Sequence, residues 1–370
     1  MALSNWKPLL RAEEAVARVK ARRGDPIPWG GVRVAHLDTG YSFHHALGFA
    51  APPDALVPGT DLSAIVVEDG KDFLKKNRGT AFDPLTPFEL WDGLVLQEGG
   101  HGTRPATVMA GDDPDDGFKG VAPGLPLLCC RVTEGSVLLG PRADAVAAAL
   151  RFVAGAANRS ARAPVAAICL GRPGGHTPMG EAVDACYEKG VIVVAACGQL
   201  IDSVTYPARY ARAIGAGGLE MNGSDLAPYY RYERGQTSDG YAFVDVWAPA
   251  SGLRRGHVGP RFPGATHPNY DYGYVEDDVS GTTYACAHVA AAAALWLAFH
   301  GDDLAIYDTK PWQRVEAFRQ VLKTHNPGSR FPTAETRRLK RHGNDAVVLN
   351  VDKLLQAPLP APSSLARART

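Results

Sequence analysis

The chain has 370 residues, of which 45% are hydrophobic and 21% charged, and its formal net charge is zero at neutral pH. This composition is that of an ordinary globular protein with a large core. The balanced charge gives no electrostatic reason to expect a nucleic acid or an anionic membrane as a partner. Residues 1–8 lack the apolar segment of a signal peptide, and no apolar run reaches the roughly 20 residues of a membrane span.

The six cysteines lie mostly inside apolar runs, where cysteine behaves as a small hydrophobic residue. They form neither a zinc-type Cys-x-x-Cys pair nor a dense disulfide framework. We therefore expect a reduced, cytoplasmic protein. These cysteines are Cys129, Cys130, Cys169, Cys186, Cys197 and Cys286.

Along the chain, residues 4–23 carry one apolar face and predict a helix that ends at Gly24. An apolar strand over 32–37 runs directly into Asp38-Thr39-Gly40, and residues 41–98 and 250–279 look irregular. Elsewhere strands and helices alternate. The predicted helices are 101–109, 144–157, 180–189 and one that begins near Thr283; the predicted strands are 125–132, 164–170 and 191–196.

This alternation predicts an α/β fold with a mostly parallel sheet that is covered by helices on both faces. We see no internal repeat and no strong linker. We therefore predict one domain over residues 1–356, with an N-terminal helix in 1–31 that packs on it. Residues 357–370 form a Pro- and Ala-rich tail.

Three short segments carry the candidate chemistry. Residues 34–40 read Val-Ala-His-Leu-Asp-Thr-Gly, residues 100–103 read Gly-His-Gly-Thr, and residues 280–290 read Ser-Gly-Thr-Thr-Tyr-Ala-Cys-Ala-His-Val-Ala. Their order, an aspartate, a histidine and then a hydroxyl residue at a helix start, resembles that of the subtilisin-like proteases, or subtilases. Residues 120–123, 206–208 and 244–249 also match connecting motifs of that family. The resemblance spans roughly residues 30–356 and implies the subtilisin three-layer fold.

The resemblance implies a triad of Asp38, His101 and Thr283. A hydroxyl needs a base to remove its proton, and an imidazole that titrates near neutral pH suits this task. A carboxylate behind the imidazole fixes its tautomer and stabilises its charged form. Thr283 stands where the family carries serine, and its extra methyl restricts χ1. Ser280 offers no replacement, because it lies three residues away.

A second departure from the family lies at the predicted oxyanion hole. The family places an asparagine after Ala-Ala-x-Gly, whereas residues 195–198 lead here to Gln199. Glutamine keeps the amide donor on a side chain that is one methylene longer. The backbone N–H of Thr283, at a helix N-terminus, is the second predicted donor.

The resemblance also implies that an extended peptide adds as a strand between two segments of the enzyme. It predicts a small, largely apolar primary pocket that suits an uncharged side chain. Arg172 either narrows the entrance or selects an acidic group, or is simply solvated. The predicted substrate-binding residues are Arg131, Val132, Thr133, Cys169, Leu170, Gly171, Ala195, Ala196 and Cys197.

An acidic run follows the predicted histidine helix. A hard cation such as calcium prefers oxygen ligands, although a solvated acidic turn explains the same run. No cofactor is required by the predicted chemistry, and calcium is at most a structural ion. The carboxylates in question belong to Asp112, Asp113, Asp115 and Asp116.

The sequence therefore predicts a subtilisin-like endopeptidase that acts on a peptide or protein through a covalent acyl-enzyme. Two alternatives stay open. One is a weak or inactive pseudoprotease that binds a peptide or protein partner in the same cleft. The other is a transpeptidase or macrocyclase that passes the acyl group to an amine.

Overall fold

The structure is a computed structural model of the chain. It describes residues 2–49, 65–66, 70–74, 89–91, 94–155, 163–222, 225–230, 232, 243–260, 270–276, 280–324 and 347–370.

The described residues form eight α-helices and fourteen strands, which are numbered in chain order. The helices are α1 (Ala2–Leu10), α2 (Ala12–Arg23), α3 (Thr103–Ala110), α4 (Pro141–Ala154), α5 (Thr177–Glu188), α6 (Thr282–His300), α7 (Trp312–Thr324) and α8 (Val351–Gln356). The strands are β1 (Val34–Asp38), β2 (Lys71–Asp72), β3 (Glu89–Trp91), β4 (Leu94–Gln97), β5 (Asp112–Asp113), β6 (Phe118–Lys119), β7 (Leu127–Arg131), β8 (Val165–Ile168), β9 (Ile192–Ala196), β10 (Ile214–Asn222), β11 (Asp225–Pro228), β12 (Val246–Pro249), β13 (Arg255–Pro260) and β14 (Tyr270–Val275).

The central sheet has the strand order β11-β10-β9-β8-β1-β7-β2, and β12 also pairs with β10. All of these pairs are parallel except β10 with β11. Every residue of β1, β7, β8 and β9 is buried, which explains why these strands read as continuous apolar runs. The predicted α/β architecture with a mostly parallel sheet is confirmed.

The helices form the outer layers. α4 and α5 pack against each other and contact β1 and β9, whereas α6 packs over β8, β9, β10 and β12 and also contacts α2 and α3. Residues Thr282–Tyr307 are long and apolar enough to span a membrane, but 94% of their most apolar window is buried inside the fold. This segment is a core helix, as its sequence predicts.

Two predicted segments differ from the structure. The helix expected over 4–23 is two helices, because Arg11 adopts a left-handed conformation with φ of 49° between them. The region 250–279 was expected to be loop-like, but β13 and β14 form an antiparallel hairpin there. Its sequence, rich in glycine, proline and tyrosine, hides the strands because glycine and proline are typical of turns.

The C-terminal tail lies against the body of the fold. Pro360 and Pro362 offer backbone carbonyls to Tyr307 and Gln313, and the backbone N–H of Ala368 donates to the hydroxyl of Tyr187. The division into a domain over 1–356 and a tail stays a prediction.

Candidate active site

Asp38 and His101 form a buried pair at the carboxyl end of the central strand β1. Nδ1 of His101 lies 2.6 Å from Oδ1 of Asp38, and the two residues are 6% and 1% exposed. The backbone N–H of Thr39 donates to the same Oδ1 over 2.7 Å. The aspartate and the imidazole therefore have the relationship that a catalytic base and its orienting carboxylate require.

Gly102 allows this pair to form. A Cβ atom at Gly102 would lie 2.4 Å from the carbonyl oxygen of Gly40 and 3.1 Å from Cβ of Asp38. Its backbone N–H donates to Oγ1 of Thr39 over 2.9 Å. The start of α3 can therefore approach the end of β1 closely enough for His101 to reach the carboxylate.

The charges of the pair stabilise each other. Burial opposes ionisation of Asp38, but the attraction of His101 and hydrogen bonds from His101 and His36 outweigh it, so the pKa of Asp38 lies well below its usual value. Burial also opposes protonation of His101, yet the attraction of Asp38 raises its pKa above the ordinary 6.5. The imidazole is thus tuned as a stronger base than a free one.

Thr283 lies in the first turn of α6, on the wall of the same cleft as His101. Its Oγ1 donates to the backbone carbonyl of Cys169 over 3.0 Å. Among the described residues this carbonyl is the partner of the Thr283 hydroxyl, and His101 is not. Ser280 is exposed and donates to the hydroxyl of Tyr229 over 3.0 Å, so it takes no part in the pair.

Gln199 lies beside the N-terminus of α6. It follows Gly198, whose backbone has a φ of 85°. Residues other than glycine rarely adopt this conformation. Oε1 of Gln199 accepts a hydrogen bond from the backbone N–H of Thr282 over 3.1 Å. Because this contact fixes which end of the amide is oxygen, the NH2 group is on the side away from Thr282.

The three predicted triad members and Gln199 line one cleft or lie directly behind it. The cleft has a volume of about 420 Å³. Of the predicted substrate-binding residues, Cys169, Leu170, Gly171 and Ala196 line it. Arg172, which the sequence left with several roles, lies on the same wall.

Other predicted substrate-binding residues lie behind the walls. Arg131 is 1% exposed, and its Nη1 pairs with Asp72 over 3.1 Å. Val132 and Thr133 are buried next to it, and Ala195 and Cys197 are buried beneath Ala196. The next residues along the chain, Ser136 and Val137, line the cleft, whereas the side chain of Arg131 turns inward to the carboxylate of Asp72.

Sequence reasoning missed a charged and aromatic part of the cleft lining. Glu98, Arg104, Arg255 and Tyr284 lie there with His101. Nη1 of Arg104 is paired with Oε1 of Glu98 over 2.5 Å, and the guanidinium of Arg255 lies 5.8 Å from the centroid of the Tyr284 ring. Arg255 comes from hairpin β13–β14, whose strands the sequence did not reveal.

The acidic run has protein partners. Asp113 accepts from the hydroxyl of Tyr274 and from the backbone N–H of Asp115 and Asp116. Asp116 also pairs with Arg254, and Asp112 lies 3.9 Å from Lys119. Among the described residues, the group of side chains close enough to share a metal ion is His36, Asp38 and Cys169. Calcium at the aspartates stays a prediction.

Comparison with known proteins decides the family. The profile of the subtilase family (Peptidase S8) matches residues 30–344. The chain belongs to the subtilase family.

This subtilase is similar to several bacterial enzymes that are named subtilisins or alkaline proteases. It is 30% identical to subtilisin Savinase of Lederbergia lenta over 267 residues. This match covers 72% of the present chain and 76% of that protein. The chain is equally similar to the alkaline protease of Alkalihalobacillus alcalophilus, of which the match spans 53%, about half the length. The structure of a protease from Pseudoalteromonas arctica PAMC 21717 has a TM-score of 0.59 and 21% identity, and the match covers 94% of this chain and 98% of that one. This last similarity shows the fold alone.

Proposed function

We propose that this subtilase is a peptidase in which Asp38, His101 and Thr283 cleave a peptide bond through an acyl-enzyme on Oγ1 of Thr283. The observation that carries the proposal is the buried contact of 2.6 Å between Nδ1 of His101 and Oδ1 of Asp38. It lies at a cleft whose wall includes Thr283. This contact holds the tautomer that leaves Nε2 of His101 free to accept a proton.

The nucleophile must turn before it reacts. Threonine in a helix uses two χ1 rotamers, so Oγ1 can leave the carbonyl of Cys169 and face Nε2 of His101. His101 then removes the hydroxyl proton as Oγ1 attacks the substrate carbonyl, and returns the proton to the leaving amine as the carbon–nitrogen bond breaks. Water deacylates the ester by the same steps.

The oxyanion of the intermediate needs hydrogen-bond donors that are already in place. The NH2 group of Gln199 and the backbone N–H of Thr283 are the proposed donors. The contact between Oε1 of Gln199 and the N–H of Thr282 supports this assignment because it orients the amide. Thr283 lies in the first turn of α6, where N–H groups lack acceptors within the helix.

The cleft suggests a substrate class. The wall of Leu170, Gly171 and Ala196 is apolar or small and suits an uncharged side chain on the acyl side of the bond. His101 protonates the leaving amine, so the leaving-group side lies toward Glu98, Arg104 and Arg255. Arg104 is paired with Glu98, and Arg255 adds a second positive charge on that side of the cleft, which favours a peptide with an acidic residue just after the scissile bond.

One observation favours a second function, that of a peptide-binding pseudoprotease. The Thr283 hydroxyl points to the Cys169 carbonyl rather than to His101. If the γ-methyl prevents the rotation, the cleft binds a peptide without cutting it.

Labelling with a fluorophosphonate probe tests the proposed function. We expect the wild-type protein to gain the mass of the probe on the peptide that contains Thr283, and the Thr283→Ala variant to gain none. The Thr283→Ala variant also serves to measure peptide binding without cleavage. No labelling of wild type, together with no peptidase activity in Thr283→Ser, would overturn the peptidase and leave the binding function.

Analysis of the products separates hydrolysis from acyl transfer. With a cleavable peptide and a competing primary amine, we expect free carboxylic acid as the main product. An amide as the main product at modest amine concentration would assign the chain to the acyl-transferring peptidases instead.

The cellular compartment is also a proposal. All six cysteines are free and buried, which supports a reducing compartment such as the cytoplasm. Localisation of the tagged full chain by cell fractionation is the direct test.

A further inference from the structure

A second histidine contacts the carboxylate of the proposed triad. His36 lies two residues before Asp38 on β1, so the two side chains point to the same face of the strand. Nε2 of His36 is 3.3 Å from Oδ2 of Asp38, and both side chains are almost completely buried, at 0% and 1% exposed. Since Oδ1 of Asp38 is bound to His101, the carboxylate lies between two imidazole rings.

A tyrosine determines where the proton of His36 lies. Nδ1 of His36 is 3.0 Å from the hydroxyl of Tyr41. Burial raises the pKa of Tyr41 well above 10.0, so the phenol stays neutral and is able to donate a hydrogen bond to Nδ1. The ring proton of His36 is then on Nε2, facing Oδ2 of Asp38. The other tautomer would place a nitrogen lone pair against the carboxylate in a buried site, which is costly.

The two facing atoms have no other partner. Within the described part of the chain, Nε2 of His36 and Oδ2 of Asp38 are both buried, and neither has a hydrogen-bond partner of standard geometry. Their separation of 3.3 Å is that of an ion pair. A buried carboxylate oxygen with no donor would cost free energy. The contact of 3.3 Å with the His36 N–H is therefore the available compensation.

A metal ion would be another use of the same atoms. Nε2 of His36, Oδ2 of Asp38 and Sγ of Cys169 lie within 4.8 Å of one another. Zinc would require the Cys169 thiolate. Burial, a hydrogen bond with Cys286 and the nearby Asp38 charge raise the pKa of Cys169 well above 9.0, which favours the thiol. Binding of Zn²⁺ to the protein distinguishes the metal site from the direct contact between His36 and Asp38.

We propose that His36 is a positioning residue for catalysis: its Nε2–H binds Oδ2 of Asp38 and takes up part of the carboxylate charge, while Oδ1 holds His101. The effect reaches His101 only through Asp38. Besides Asp38, the charged groups that act on His101 are Glu98 and Arg104, and neither contacts His36. The expected change in peptidase activity rests on the proposed peptidase function, but the expected change in the pKa of His101 does not.

The sign of the effect follows from the charge. Without the His36 donor, the whole carboxylate charge acts on His101, so the protonated imidazole becomes more stable and its pKa rises. We expect an increase of about half a pH unit. Because the base must be unprotonated, peptidase activity below that pKa then falls about threefold, whereas activity on the alkaline plateau is kept.

The test compares His36→Leu, His36→Gln and Tyr41→Phe in the full chain. NMR titration of the His101 ring needs no activity and measures the proposal even if the protein is a pseudoprotease. We expect the His101 midpoint to rise in His36→Leu, to rise less in Tyr41→Phe, and to return toward wild type in His36→Gln, whose amide again donates. His300→Gln, which removes a buried histidine at the far end of α6, is the control and leaves the midpoint unchanged.

Two results would overturn the proposal. One is an unchanged His101 midpoint in folded His36→Leu and Tyr41→Phe, with any loss of activity equal at all pH values. The other is stoichiometric binding of Zn²⁺ to wild-type protein by calorimetry that disappears in both His36→Gln and Cys169→Ser, because the site would then be a metal site. If His36→Leu does not fold, the Tyr41→Phe and His36→Gln pair decides.

Discussion

The hydroxyl of Thr283 donates to the backbone carbonyl of Cys169, 3.0 Å away. Cys169 follows strand β8, so this hydrogen bond ties the first turn of α6 to the end of the sheet. Oγ1 of Thr283, the donor in this hydrogen bond, is also the proposed nucleophile. We therefore expect its reactivity to depend on how easily the hydroxyl leaves the carbonyl of Cys169 and forms a hydrogen bond with His101 instead.

Thr283→Ser is expected to raise kcat about tenfold with little change in KM. Serine lacks the γ-methyl that must pass beside the scissile carbonyl, and small displacements of a nucleophile cost large factors in rate. Steady-state kinetics with a peptide substrate measure the effect. Ser280→Ala, in the same motif but outside the cleft chemistry, serves as the control. A lower kcat in Thr283→Ser would show that the site is built around the methyl group.

The pH dependence should have an acid limb above 6.5. Asp38 raises the pKa of His101 from 6.5, and only the unprotonated ring accepts the proton of Thr283. The kcat/KM of the wild type therefore rises with pH through that higher midpoint. Asp38→Asn should lower the midpoint and reduce kcat by about 10⁴. An acid limb at or below 6.5 in wild type would contradict the assigned base.

Two variants separate the observed contact of Gln199 with the N–H of Thr282 from its proposed role as an oxyanion donor. Gln199→Ala loses both the proposed oxyanion donor and the acceptor for the N–H of Thr282. We expect kcat to fall about 100-fold and stability to fall by about 1 kcal/mol. Gln199→Glu keeps an acceptor for Thr282 but has no donor.

The Gln199→Glu variant should therefore lose activity without losing the helix cap. Thermal unfolding measures the change in stability, and steady-state kinetics on the same preparations measure the change in kcat. Full activity in Gln199→Glu would exclude the glutamine amide from the oxyanion hole.

Arg255 should contribute to substrate selection. Its guanidinium lines the cleft close to the ring of Tyr284. A substrate carboxylate would form a charge-assisted hydrogen bond with such a group. We expect wild type to prefer aspartate over asparagine just after the scissile bond, and Arg255→Gln to reduce that preference about tenfold.

Arg172→Gln is the matched comparison for Arg255, because it removes another arginine from the lining of the cleft. We expect it to leave the preference for aspartate unchanged. The measurement is the ratio of kcat/KM for the two peptides. If this ratio is the same in wild type and in Arg255→Gln, Arg255 does not select an acidic residue just after the scissile bond.

The sheet and the position of Asp38 at the end of a strand could be predicted from sequence for a physical reason. Strands buried on both faces give apolar runs, and the run that ends at Asp38 is the central strand β1. The contact between Asp38 and His101 follows from motif order and is now supported by geometry. The hairpin that carries Arg255 was missed because its glycines and tyrosines give no clear period of two.

Side-chain partners were harder to predict than backbone elements. Arg131 was expected to face the substrate, but the sequence does not show that Asp72 pairs with it inside the fold. His36 belongs to no metal-ligand spacing in the sequence, so the sequence predicts no role for it. Its signal was the interval of two residues from Asp38 on a strand, which places both side chains on one face.

The hydrogen bond between Gln199 and the N–H of Thr282 has one more consequence. It links the loop after β9 to the first turn of the helix that carries Thr283, so we expect a displacement of that turn to be passed on to the loop. Any tilt of α6 when a peptide binds carries the nucleophile and its neighbouring amide together and preserves their spacing. The adjustment that brings the site to its reactive geometry must then occur across the gap to His101, which is anchored separately on β1 and α3.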